Sequence, residues 1–226
     1  MAKRSRFCTK SLGGSTSDNG EKRARITVFS DYVCPFCYLE EPDLSRLREE
    51  FGDQVEVDWR AYELRPDPIP TLDPDGDYLH RVWNASVYPM AQSLGMTLRL
   101  PPVQPRSRKA LEATEFARER GRYDTMHTAI FKAFFEDGQD IGDTEVLLEV
   151  GASVGLDRDE LRAALEANRF TEKVLADETL ATRLGVNSVP TMFVTPAGVP
   201  LEQAEILTGA QPYGGRIKAA VERALI

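Results

Sequence analysis

Two cysteines three positions apart, Cys34 and Cys37, are the residues of this chain best suited to chemistry. They follow a short apolar segment, residues 26–30, that predicts a buried strand, and they precede apolar residues at helical spacing. The pair therefore lies where a strand ends and a helix begins. Unpaired N–H groups and the dipole at a helix N-terminus stabilise a thiolate there. This arrangement predicts thiol–disulfide exchange.

The position of each cysteine predicts its part in that exchange. Cys34 lies at the helix start, where we expect the more exposed thiol, which attacks or is attacked. Cys37 lies one turn further in, where we expect a more covered thiol that resolves the mixed disulfide. Pro35 suits the first helical position, because its missing N–H costs nothing there.

A zinc site and a structural disulfide are the alternatives to redox chemistry. Zinc takes four ligands, and besides carboxylates the chain adds Cys8, His80 and His127, which lack ligand-like spacing. A disulfide between residues three apart closes a very small loop and adds little stability. We therefore expect no metal, and the strand-to-helix context favours the redox interpretation.

The composition restricts the classes of partner. The chain has 226 residues, 42% of them hydrophobic, and a net charge of −8, which argues against a nucleic acid or an anionic membrane as main partner. No apolar run approaches the roughly 20 residues of a membrane span. The three cysteines form no disulfide framework. The basic N-terminus lacks the apolar stretch of a secretory signal, so we predict a cytoplasmic protein.

The N-terminal residues 1–24 are rich in Ser, Gly, Lys and Arg and show no periodicity. This composition predicts that residues 1–24 form a disordered basic tail. Cys8 lies in this tail, and we interpret it as an incidental free cysteine rather than a regulatory thiol, because no partner is in sight.

The remaining chain predicts two strand-containing halves separated by helices. Strands at 25–30 and 55–59 flank the first helix, which indicates a βαβ unit with parallel strands. Strands near 191–194 and 203–208 and a helix at 212–225 close the chain as ββα. Between these halves, after an irregular Pro-rich connection, apolar spacing predicts helices at 78–94, 107–120, 123–136, 144–154, 158–167 and 169–184.

Three polar residues are predicted to cap helices in this middle segment: Ser107, Asp143 and Asp157. His127 lies on the aromatic stripe of the 123–136 helix. We interpret it as a packed, hydrogen-bonded histidine rather than a catalytic one, since its neighbours have the spacing of a core face.

These elements, with Cys34-Pro35-Phe36-Cys37 and Val189-Pro190-Thr191, resemble a thioredoxin fold. The long helical interruption is similar to the DsbA-like group. Within that group, the motifs most resemble FrnE-type oxidoreductases, relatives of 2-hydroxychromene-2-carboxylate isomerase; these motifs are residues 31–38, 63–66, 134–138, 185–190 and 209–212. The implied fold is α/β: a thioredoxin domain formed by 25–65 and 169–226, with a large all-helical insertion, 66–168, between its βαβ and ββα halves.

The resemblance also implies roles for individual residues. Cys34 would be the nucleophile, Cys37 the resolving thiol, and Val189–Pro190 a loop with a cis peptide bond that pairs with an extended substrate or glutathione. Pro35 and Phe36 would tune the thiolate. We expect that the protein holds no bound cofactor and that glutathione or a thioredoxin-type partner is its redox co-substrate. We expect protein or small-molecule thiols and disulfides as its partners, and a monomer or homodimer as its oligomeric state.

The chain departs from the family at the first strand, where thioredoxin and DsbA carry a buried acid and this chain has Val28. Water or another carboxylate, such as Glu56 or Asp58, is then the candidate that moves the Cys37 proton. Within the helical insertion, residues 85–105 are the predicted substrate contacts.

Three functions fit the sequence. The preferred one is a thiol–disulfide oxidoreductase acting through the Cys34–Cys37 pair on protein or glutathione disulfides. The alternatives are a glutathione-dependent isomerase or transferase of the 2-hydroxychromene-2-carboxylate isomerase type, and a non-catalytic chaperone module that uses the groove beside Pro190. The isomerase-type relatives generally place a serine where this chain has Cys34, which weakens that alternative.

Overall fold

The structure is a computed structural model that describes residues 23–211 and 215–226. The predictions for residues 1–22, including Cys8, and for residues 212–214 lie outside the described residues. Both ends of the described chain contribute to one sheet: β1 (Ala24–Ser30), α1 (Pro35–Phe51) and β2 (Val55–Ala61) come first, and β3 (Thr191–Pro196), β4 (Glu205–Thr208) and α9 (Arg216–Ala224) come last.

Helices fill the chain between β2 and β3. They are α2 (Asp77–Val82), α3 (Tyr88–Leu94), α4 (Arg108–Glu119), α5 (Tyr123–Phe135), α6 (Thr144–Ser153), α7 (Arg158–Glu166) and α8 (Thr171–Arg183). This order confirms the predicted βαβ and ββα halves with helices between them. No helix of the described chain has both the length and the apolar character of a bilayer span.

The four strands form a single mixed sheet in the order β2-β1-β3-β4. Strand β1 is parallel to β2, as the βαβ connection requires, and β3 is antiparallel to both β1 and β4. The register places Ser30 opposite Ala61 at the carboxyl ends of the parallel pair. The chain leaves β1 at this edge and enters the loop that carries the cysteines.

The two faces of the sheet are covered by different helices, because successive side chains of a strand point to opposite sides. Ile26 and Val28 belong to a buried cluster with residues of α1 and α9, among them Leu47 and Val221. Phe29 and Phe193 belong to the other buried cluster, and their rings meet edge to face with centroids 5.7 Å apart.

The second cluster continues from the sheet into the middle helices. Helices α4 and α5 contribute side chains without solvent exposure, including Phe116, Ile130, Phe131 and Phe134. Residues of α1, including Cys37 and Tyr38, belong to the same cluster. The aromatic stripe predicted for the 123–136 helix is therefore core, and it lies directly against the helix that follows the cysteines.

The helix boundaries follow the predicted ones closely, with two differences. The predicted 78–94 helix is interrupted by a π-helical turn, Trp83–Val87, between α2 and α3. Asp143 and Asp157 cap α6 and α7 as predicted, each accepting a backbone N–H bond. Ser107 is the N-cap residue of α4, as predicted, but it makes no side-chain cap bond, and its hydroxyl bonds to Asp31 instead.

Candidate active site at the start of helix α1

Cys34 is the residue directly before α1, which begins at Pro35. Its N–H donates to the Asp31 carbonyl at 3.1 Å, and the Cys37 N–H donates back to the Cys34 carbonyl at 3.1 Å. Both cysteines are free thiols; Cys34 is 4% exposed and Cys37 is fully buried. The thiols thus have the predicted order of exposure, although even Cys34 is largely covered.

The loop before β3 covers the Cys34 thiol. The Cys34 Sγ lies 3.4 Å from the Val189 carbonyl oxygen, which it can donate to. The Val189–Pro190 peptide bond is cis, and the Pro190 carbonyl accepts a hydrogen bond from the Gly209 N–H at 2.8 Å. Cys34 and Val189, which are far apart in the chain, therefore meet at one point, and Gly209, the residue after β4, is hydrogen-bonded to the same loop.

The Cys37 thiol lies in a different environment. Burial raises its pKa well above the usual value, and the adjacent Cys34 thiol raises it further. Hydrogen bonds from the Ser30 side chain and the Asp31 backbone act in the opposite direction, because they stabilise the thiolate. Cys37 is therefore a thiol that keeps its proton until it reacts.

The two carboxylates predicted as candidates for moving the Cys37 proton, Glu56 and Asp58, are both paired with arginines. Glu56 forms an ion pair with Arg25 at 3.1 Å, and Asp58 forms one with Arg60 at 2.6 Å. Both carboxylates are therefore engaged by arginines, whereas Ser30 bonds to the thiol. No pattern in the sequence distinguishes Ser30, which looks like an ordinary residue at the end of a strand.

Asp31 anchors the cysteine loop to the chain between β2 and β3. Its carboxylate is fully buried and accepts hydrogen bonds from the Leu64 N–H at 2.6 Å, the Val33 N–H at 3.3 Å and the Ser107 side chain. Burial raises its pKa to about 6, although these hydrogen bonds lower it. Asp31 ties the end of β1 to the start of α4, and thereby fixes the turn that presents Cys34.

A groove of about 230 Å³ opens beside Cys34. Of the predicted substrate-binding residues, Pro35, Phe36 and Val189 line it. Pro190 is buried behind it and does not line it. Further lining residues come from the chain between β2 and β3, called the helical segment below: Leu72, Tyr78, Leu79, Val82, Trp83, Gln104 and Phe135.

The residues that line the groove differ from the predicted substrate-contact segment, residues 85–105. Of the residues 85–105 only Gln104 lines this groove within the described chain, and the π-helical turn contributes Trp83 just before that range. The groove has no charged side chain among its described lining residues. No group of three or more potential metal-ligating side chains converges anywhere in residues 23–211 and 215–226.

A thioredoxin fold with a cysteine pair at its first helix defines a thioredoxin-like protein. More narrowly, the chain belongs to the DSBA-like thioredoxin domain family, whose model matches residues 25–214. This confirms the DsbA-like resemblance and the fold class that the motifs predicted.

Individual relatives agree with this assignment. The chain is 35% identical over 179 residues to the uncharacterized protein YwbO of Bacillus subtilis (strain 168), covering 77% of this chain and 88% of YwbO. The probable DsbA oxidoreductase SCO1869 from Streptomyces coelicolor superimposes with a TM-score of 0.71 at 25% identity, covering 89% of this chain and 88% of that one. 2-Hydroxychromene-2-carboxylate isomerase has a TM-score of 0.68 at 20% identity, covering 82% and 89%, which is a likeness of fold.

Proposed function

We propose that this protein is a thiol–disulfide oxidoreductase that acts through Cys34 and Cys37. The observation that carries the proposal is the placement of Cys34, which directly precedes α1, lines a groove and lies 3.4 Å from the Val189 carbonyl oxygen. A helix N-terminus favours a thiolate, and the second thiol waits one turn behind it. Membership of the DSBA-like family supports the same activity.

The exchange needs no bound cofactor. When the enzyme acts as an oxidant, a substrate thiolate attacks Cys34 of the Cys34–Cys37 disulfide, a mixed disulfide forms and Cys37 leaves as thiolate. The second substrate thiolate then displaces Cys34, so that the substrate loses two electrons and the enzyme gains them. The reductive direction is the reverse, with Cys37 displacing the substrate from Cys34.

The groove indicates which disulfides fit. Its described lining is uncharged and mostly apolar, so it suits an aliphatic or aromatic side chain next to the substrate cysteine. Glutathione carries two carboxylates and an ammonium group. Arg65 could pair with a glutathione carboxylate, and it lines a neighbouring cavity of about 170 Å³ together with Leu64 and Tyr78. We therefore propose protein disulfides as substrates, with glutathione as a redox co-substrate.

The test is the reduction potential of the Cys34–Cys37 pair, measured by equilibration with glutathione buffers. We expect a titratable two-electron couple, and about 30 mV corresponds to 1.4 kcal/mol for such a couple. Cys34→Ser should abolish insulin-disulfide reduction and Cys37→Ala should accumulate the mixed disulfide, whereas Cys8→Ser should behave as the unaltered protein. Full activity of Cys34→Ser, or no titratable disulfide, contradicts the proposal.

The same variants separate the alternatives. A glutathione-dependent isomerase needs no resolving thiol, so Cys37→Ala would then turn over an isomerase substrate at the unaltered rate. Holdase activity that survives loss of both cysteines would instead indicate a chaperone module. The cytoplasmic location and a monomeric or homodimeric state stay predictions.

A further inference from the structure

A chain of polar side chains crosses the core between α1, α4 and α5. The Tyr32 hydroxyl lies 2.6 Å from Thr114 Oγ1 and 2.8 Å from His127 Nδ1. On the far side of the imidazole ring, His127 Nε2 lies 3.2 Å from Glu41 Oε1, an ion-pair distance at which the ring N–H is not aligned for a hydrogen bond among the described residues. Tyr32, Thr114 and His127 are buried, whereas the Glu41 side chain is 16% exposed. One end of this chain therefore reaches solvent.

The other end approaches Cys37. Ser30, whose side chain bonds to the Cys37 thiol, lines a small cavity together with Tyr32, Thr114 and His127. The cavity measures about 10 Å³, which is at the lower limit for holding one water molecule, and its lining includes the hydroxyl-bearing residues Ser30, Tyr32 and Thr114. A water there would join Ser30 to Tyr32.

The charged groups around this cavity are already paired. Arg60 from β2 binds Asp58 at 2.6 Å and Asp177 at 3.1 Å. Glu115 from α4 binds Arg118 at 3.0 Å. Tyr123 from α5 also lines the cavity, and its ring stacks on His127 with centroids 5.4 Å apart.

We propose that Ser30, Tyr32, His127 and Glu41 form a proton relay that connects the buried Cys37 thiol with solvent. The relay rests on the proposed function, because only a reacting Cys37 has to lose and regain a proton. It replaces the carboxylates predicted on β2.

The transfers between Cys37 and Ser30, Tyr32 and His127, and His127 and Glu41 follow the contacts given above, and a water in the cavity bridges Ser30 and Tyr32. Cys37 gives its thiol proton to Ser30, whose own proton passes to the cavity water and from there to Tyr32. For the next transfer the phenol proton turns from Thr114 Oγ1, which itself donates to the Ala110 carbonyl, to His127 Nδ1. His127 then passes the proton on Nε2 to Glu41, which releases it to solvent. The Cys37 thiolate then attacks Cys34 of the mixed disulfide, a Cys34–Cys37 bond forms, and the substrate leaves with the electron pair as thiolate.

The two ends of the relay differ in proton affinity in the required direction. Burial raises the pKa of Glu41, but the contacts with His127 and Thr128 and the charges of His127 and Arg48 outweigh it, so the pKa lies below its usual value. Glu41 therefore returns a proton to solvent at neutral pH. Cys37, whose pKa is raised, needs a route by which the proton leaves.

The experiment follows the resolving step in a single turnover. Reduced protein carrying Cys8→Ser, which removes the third thiol, is the background for all variants and is mixed with 5,5′-dithiobis(2-nitrobenzoate). Attack by Cys34 then releases one nitrothiobenzoate, and attack by Cys37 releases the second. We expect Ser30→Ala and Tyr32→Phe to slow the second release by at least about tenfold and leave the first unchanged. Their second rate should also increase steeply with pH and fall further in D₂O, because hydroxide must now remove the proton.

Tyr123→Phe is the matched control, since it removes a phenol from the same cavity but breaks no contact of the relay. We expect unaltered second-release rates for it. Unaltered rates and pH profiles in both Ser30→Ala and Tyr32→Phe would overturn the relay while leaving the oxidoreductase intact. Equal slowing by Tyr123→Phe would also overturn it, because the effect would then be structural.

Two further outcomes complete the test. If Tyr32→Phe does not fold, Glu41→Gln at the solvent end serves in its place, and an unaltered second rate there overturns the relay. If the unaltered protein shows no second release, the proposed redox function fails together with the relay.

Discussion

Glu40 is a buried carboxyl group one turn after Cys37, and it has no charged partner at hydrogen-bond distance among the described residues. One of its oxygens accepts the Gln211 N–H at 2.5 Å, and the other has no partner in the described chain. Burial raises the pKa of Glu40 to about 8, despite that hydrogen bond. The group is therefore mainly protonated at neutral pH, and it holds the chain after β4 against α1.

We predict that Glu40→Gln flattens the dependence of stability on pH. The folded-state pKa of about 8 lies above the usual value of 4.5 for a glutamate, so the stability that the neutral carboxyl contributes is fully present below pH 4.5 and is lost as the pH rises through 8. Glutamine keeps an acceptor for Gln211 and does not titrate.

The measurement is the free energy of unfolding by urea at several values between about pH 5 and pH 9. Asp31 and other groups titrate in both proteins, so the difference between variant and unaltered protein is compared. We expect that difference to shift in favour of the variant by on the order of 2 kcal/mol towards high pH. Parallel curves would contradict the assignment of this pKa to Glu40.

Local elements were predictable where neighbours in the chain decide the structure. The caps of α6 and α7 use Asp143 and Asp157 with N–H groups two or three residues away. Ser107 is also a residue type favoured at the N-cap and occupies the N-cap position of α4, but its hydroxyl bonds to Asp31, a distant residue that no local rule includes. The π-helical turn at Trp83–Val87 likewise lies inside a segment whose apolar spacing resembles an ordinary helix.

In the candidate site, too, the features set by neighbouring residues were predictable and those set by the packing of distant residues were not. Cys34, Cys37 and Pro35 are recognisable from a spacing of three residues at the start of a helix. The contacts of Tyr32 with Thr114 and His127 join residues 82 and 95 positions apart, so they depend on how α4 and α5 pack against the cysteine loop. Sequence alone therefore predicted a packed His127 but not its link to the site.

Helix α2 supplies part of the groove wall, and this leads to a prediction about substrate preference. Val82 lines the groove, so Val82→Asp places a charge where an apolar substrate side chain would be buried. Burying a valine-sized group is worth roughly 1.5 kcal/mol, which corresponds to about a tenfold change in rate.

We expect Val82→Asp to lower kcat/KM for a disulfide peptide with an aromatic residue beside its cysteine by about tenfold, and to leave the rate with dithiothreitol unchanged. Leu175→Asp, on an exposed position of α8, is the control with the same change of charge. Equal rates for Val82→Asp and the control with the peptide would show that the groove does not select apolar substrates.

At the scale of the whole molecule, the helical segment and the sheet share a buried cluster. Phe29 and Phe193 of the sheet belong to the same cluster as Phe116 and Phe131 of α4 and α5. Helix α8 packs on β2 and also on α4. The division into a thioredoxin domain and an inserted domain at 66–168 stays a prediction, and this continuous core argues that the two parts depend on each other for stability.

The chain contains two tryptophans, and each reports on one of these parts: Trp59 lies in β2 and Trp83 in the helical segment. The variants Trp83→Phe and Trp59→Phe each keep one tryptophan. We predict that the urea unfolding transition of each variant by fluorescence coincides with its transition by far-ultraviolet circular dichroism, because a shared core unfolds as one cooperative unit. Each fluorescence curve is compared with circular dichroism of the same variant, which removes the effect of the substitution on stability. Separate midpoints for Trp59 and Trp83 within such comparisons would show instead that the helical segment unfolds as a domain of its own.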